Sequence, residues 1–150
     1  MAQITFTSRS YFNAAREHLG TASRHNEHAE YFSAHFFAGV AVESILRALS
    51  SKGGEPFDRS HNIEYWARKA QLLPNGAEEQ QEVFRAGLSE INLRWRANQR
   101  YFTLKMLDSY LESTKLDKIR GDHVKYSSNR MLDLANAVVS LGVSRWNNKY

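Results

Sequence analysis

Arg94, Asn98 and Tyr101 recur at i, i+4 and i+7 in the stretch Leu93-Arg94-Trp95-Arg96-Ala97-Asn98-Gln99-Arg100-Tyr101, with Arg96, Gln99 and Arg100 on the neighbouring face of the same expected helix. Guanidinium groups recognise phosphate. Trp95, Tyr101 and Phe102 lie among them and could stack on unpaired bases, the usual construction of a sequence-tolerant RNA surface. The spacing of Trp95 and Phe102 from Phe84, Leu88 and Ile91 instead assigns those two rings to a core. The RNA-binding candidates are therefore Arg96, Asn98 and Arg100, with His61 added from an earlier segment. A second chemical feature is Glu43, the one carboxylate inside the otherwise apolar run from Ala34 to Leu49. A helix apolar on all sides is wrapped by others. An acid within it needs a partner, because an unpaired buried charge costs several kcal/mol. Glu43 is thus expected to be a structural buried group that accepts hydrogen bonds from His61, an arginine or backbone amides.

Other chemistries are set aside by spacing. The chain has no cysteine, so it carries no disulfide, thiolate metal site or cysteine nucleophile. His-Glu-x-x-His and Glu-x-x-His are both absent, which argues against zinc-protease and di-iron bundle sites, and no metal or cofactor is expected. His61 and Glu64, three apart at a helix start, read as a cap or a core-edge hydrogen bond. Neither a P-loop nor Gly-x-Gly-x-x-Gly occurs. Arg120-Gly121-Asp122 reads as a turn.

These groups must be positioned by helices. At 150 residues with 42% hydrophobic and 24% charged composition, the chain is expected to form one domain over residues 1–150. Ser8 or Ser10 would cap a first helix carrying Phe12, Ala15, Leu19 and Ala22. A second helix is expected from about His28 to Ser51, stopped by Gly53-Gly54, and a short third after Pro56 with Ile63, Trp66, Ala67 and Ala70 inward. The fourth should run from about Ala77 to Phe102, and Leu104, Leu107 and Leu111 mark a further short one. After a connection over Asp117 to Asp122, the last is expected from Ser127 to Arg145, with Met131, Leu134, Ala135, Val138 and Leu141 inward. The fold class implied is an all-α, antiparallel bundle of five to six helices.

The net charge of +4 is unevenly spread. Five basic residues face one acid between Arg85 and Lys105, and seven face three between Lys115 and Tyr150, so the remainder is acidic by four. Such segregation serves an anionic ligand such as RNA, or a solvated helix face. No stretch is read as a signal sequence or as apolar over a bilayer-spanning length, so a cytoplasmic protein without a membrane partner is expected.

In layout the chain resembles the HEPN family, small helical-bundle proteins of toxin–antitoxin and antiviral systems. The run Ala38 to Ala48 around Glu43 is similar to that family's second helix, His61-Asn62-Ile63 to the His-Asp/Asn-Leu start of its third, and Trp95 to Arg100-Tyr101 to the end of its fourth. The resemblance implies a homodimer and, in active members, a metal-independent ribonuclease site built on Arg-x4–6-His. With Arg94 as that arginine, the register places Gln99 where histidine would stand and Tyr101 at the motif's tyrosine. Gln cannot exchange a proton near neutral pH. If the site is active, Arg94, Gln99 and Tyr101 are its catalytic positions, aided by His61 or His123. The functions implied are RNA or nucleotide binding within a defence or toxin–antitoxin assembly, a divergent ribonuclease, or a helical adaptor. Its protein partner would be a cognate antitoxin or nucleotidyltransferase.

Overall fold

A computed structural model describes residues 4–51 and 58–149. Those residues form six α-helices and one 3-10 turn: α1 (Ser8–Glu27), α2 (Tyr31–Ser50), α3 (Ile63–Ala70), α4 (Glu78–Arg94), the turn Ala97–Tyr101, α5 (Leu104–Thr114) and α6 (His123–Lys149). The Gly53-Gly54 stop and Pro56 lie outside the described residues.

The order of the bundle follows from α2. It packs on α1, α3, α6 and the 3-10 turn, and twelve of its residues are buried, including Ala41, Val42, Ile45 and Leu46. This helix corrects one expectation. Within its 20 residues an 18-residue window has a mean hydropathy of 1.3, long and apolar enough to cross a bilayer, although 67% of that window is buried against other helices, as in a core helix. Small residues let neighbours approach. A Cβ on Gly39 would lie 2.1 Å from the Trp95 ring, and one on Gly142 2.3 Å from Ile45, so each glycine is where another element presses on a helix backbone.

Side-chain caps start α1, α3, α5 and α6, whereas α2 and α4 begin without one. Thr7, rather than Ser8 or Ser10, caps α1, and Ser10 completes the box: Ser10 N donates to Thr7 Oγ1 at 3.0 Å and Thr7 N to Ser10 Oγ at 2.9 Å. α2 begins at Tyr31 rather than His28, because His28 closes α1 and Ala29 turns through a left-handed φ of 58°. Asn62 accepts from Tyr65 N at 2.9 Å and starts α3. α6 begins a turn before Ser127, because Asp122 accepts from Lys125 N at 2.8 Å after the bend at Gly121.

The largest departure is at the end of α4, which stops at Arg94 instead of continuing to Phe102. Trp95 turns to extended backbone (φ −116°, ψ 132°), buries its indole against α2 and donates from Nε1 to Phe36 O at 3.0 Å. The Arg94 carbonyl, which a continuing helix would give to a backbone amide, accepts from Gln99 Nε2 at 2.9 Å and from His35 Nε2 at 3.2 Å. Phe102 accordingly leaves the main core. It packs on a second, small cluster of Leu107, Leu111 and Val124.

Candidate nucleic-acid interface

Glu43 organises the approach to α3. Its Oε1 accepts from His61 Nδ1 at 3.0 Å and its Oε2 from Arg47 Nε at 3.1 Å. Because a carboxylate only accepts, the ring proton sits on Nδ1. Arg47 also donates to Ser60 O, and its guanidinium lies 4.3 Å from the Trp66 ring centroid. Trp66 Nε1 donates to the same carbonyl at 2.8 Å. The chain entering α3 is thereby tied to the middle of α2, with His61 held at the surface, its side chain 35% exposed.

The break after Arg94 divides the residues that helical spacing would have aligned. Arg94 is buried: Nε donates to Glu90 at 2.8 Å, both terminal nitrogens reach Asp117 at 2.8 and 2.6 Å, and one also reaches Ser127 Oγ at 3.2 Å. Burial works against the guanidinium charge, but Asp117 and Glu90 outweigh it and its pKa is raised. Glu90 is held below the usual carboxylate range, first by its hydrogen bond from Arg130 and then, against the cost of burial, by Arg94. Gln99 is fully buried, and its Oε1 faces His35 Nε2 at 3.3 Å. His35 is pushed down to about 4 because burial disfavours the imidazolium, with smaller opposing contributions from hydrogen bonds to Gln99 and Arg94. Neither Arg94 nor Gln99 faces solvent.

On the outer side, His61, Asn62, Asn92, Arg96 and Asn98 line one open hollow of about 400 Å³ backed by Trp95. Here the structure brings together three of the residues singled out in the sequence: His61, Arg96 and Asn98. Along a 3-10 turn residues three apart eclipse, so Asn98 and Tyr101 share a side. Tyr101 is 75% exposed and stacks under Arg100, whose guanidinium carbon lies 4.9 Å from the ring centroid. His123 is buried at the start of α6 and is not among the residues lining the hollow.

Asn62 and Asn92 complete the hollow; Asn62 stood in the sequence only within the helix-start pattern His61-Asn62-Ile63, and Asn92 carried no signal beyond its polarity. His35 did carry one: like Glu43, it is a polar group in a helix apolar all round, and its partners are Gln99 and the Arg94 carbonyl. Compared with protein-family models, curated proteins and solved structures, the chain matches none. The site must be read from its own geometry. An exposed arginine, three amides and an imidazole around a hollow, continued by a cation-stacked tyrosine, can hold phosphate, hydrogen-bond base edges and stack on a base.

Proposed function

We propose that this chain is a HEPN-like antiparallel bundle that acts as a homodimer and binds single-stranded RNA, or a nucleotide-bearing partner, within a defence or toxin–antitoxin assembly. The observation that carries the binding is the hollow of His61, Arg96 and Asn98 beside the exposed Arg100–Tyr101 pair. Binding rather than cleavage is favoured because Arg94 would have to give up Glu90, Asp117 and Ser127 to meet a phosphate, and Gln99 has no proton to exchange. The test is RNA retention across a salt series. Arg96→Glu and Arg100→Glu should each lower the slope of log affinity against log salt by about 0.7 or more. Tyr101→Ala should cost on the order of 1–3 kcal/mol of binding. Slopes and affinity that are unchanged in all three variants refute the proposed surface.

A second reading rests on one further observation: Glu43 fixes the ring of His61 in the same hollow as Arg96. A carboxylate-oriented imidazole can move a proton, and a guanidinium beside it can stabilise the charge that develops on the phosphate oxygens, in metal-independent phosphodiester cleavage. RNA cleavage in EDTA that is lost in His61→Asn would establish it, displacing the Arg94-centred site. Neither cleavage nor retention would leave the helical adaptor.

A further inference from the structure

We propose that a second cleft, beside α5, binds a small organic ammonium ion. α5 packs on α6 and α4 over the small Leu107–Leu111–Val124 cluster, and between it and the first turn of α2 a cleft of about 700 Å³ opens. That volume lies within the range of small-molecule sites, roughly 300–1,000 Å³. Its walls are Tyr31, Phe32, Val124 and Leu104, the last 61% exposed. Around them stand three carboxylates, Glu30, Asp108 and Asp122, against two lysines, Lys105 in the lining and Lys125 over the Tyr31 ring, and Glu30 also lies 3.3 Å from His25 Nδ1. The cleft is therefore acidic in a chain of net charge +4, the opposite sign to the proposed RNA surface.

Two details favour a cation with an apolar body. The Tyr31 ring already holds an ammonium near its face, Lys125 Nζ at 5.7 Å from the centroid. The carboxylates also keep capacity. Asp122 Oδ1 caps α6 through Lys125 N, and Asp108 Oδ1 accepts from His123 N at 3.3 Å, each using one oxygen of a group with about four acceptor positions. His123, between the lining residues Asp122 and Val124, is itself buried, and its Nδ1 has no hydrogen-bond partner among the described residues. Apolar walls fit the carbon frame of such a ligand, the carboxylates its charge, and the acidic rim repels phosphate.

The test titrates the full chain with phenethylammonium, its neutral counterpart 2-phenylethanol and the phenylacetate anion, following NMR shifts. Saturating shifts at Tyr31, Phe32, Leu104 and Val124 are expected for the ammonium, with the alcohol weaker by about tenfold or more and the anion not binding. The double variant Asp108→Asn with Asp122→Asn keeps an acceptor oxygen at both caps while removing two charges, and should reduce ammonium affinity to that of the alcohol. Equal binding of ammonium and alcohol, shifts outside the cleft, or no saturable binding overturns the proposal. That comparison needs only the wild-type chain, so it stands whether or not the double variant folds.

Discussion

Arg94→Ala tests whether this arginine holds the bundle together or serves a reaction. The side chain is 3% exposed and its bidentate partner Asp117 2% exposed, so the pair lies almost out of water. Removing the guanidinium leaves a buried carboxylate without its counter-charge, and breaking a buried pair in this way costs about 3–5 kcal/mol. Glu90 adds less, because Arg130 still binds it with two hydrogen bonds of 2.7 and 2.8 Å. For a chain of 150 residues, each kcal/mol moves the melting temperature by about 2–4 °C, so a fall of roughly 6 °C or more is expected. Asp117→Ala alone should also be costly, whereas the double variant should lose less than the sum, with a coupling of about 2 kcal/mol. Urea unfolding of the four proteins supplies the cycle. Additive effects, or a melting temperature lowered by less than about 3 °C, would refute the reading of Arg94 as a buried clamp.

His35 makes stability pH-dependent. Its neutral form is favoured in the folded chain at about 4 against 6.5 for an ordinary histidine, so the unfolded chain takes up the proton first. Stability is then greatest above pH 6.5 and falls as pH drops toward 4, by about 3 kcal/mol in all, a slope that urea unfolding should find flattened in His35→Gln. Gly39→Ala drives a methyl into the Trp95 ring and should destabilise by about 1–3 kcal/mol, with quenching or shift of tryptophan fluorescence as that indole is displaced. Glu43→Ala leaves Arg47 buried without its carboxylate and should lower the melting temperature by roughly 6 °C or more; an unchanged value would contradict its place in the core.

Much of this fold is written in short-range pattern. The run around Glu43 reads as a wrapped central helix from hydropathy alone, and Ile63 and Trp66 fall on the inward stripe of α3 as their spacing requires. Thr7 is harder, because Ser8 and Ser10 offer equally good capping chemistry within three residues. The end of α4 is not legible locally at all. Leu88, Ile91 and Trp95 keep helical spacing across the break, and what ends the helix is a socket at Gly39 together with two side chains, His35 and Gln99, that both donate to the Arg94 carbonyl. These contacts join positions 59 and 5 residues apart, and Arg94 meets Asp117 from 23 residues away. The hollow follows from that break: with α4 continued, Arg96 and Asn98 would sit on a helix face instead of beside His61.

The segment after α4 is held by inward-facing Trp95 and Gln99, whereas Arg96, Asn98, Arg100 and Tyr101 point to solvent. Anchorage and the proposed recognition thus occupy separate positions of one short stretch. If the proposed RNA binding holds, replacing the outward residues would change what the surface prefers and leave the attachment intact, so the segment would serve as an exchangeable reading head, able to acquire a new preference without the rest of the bundle having to adjust.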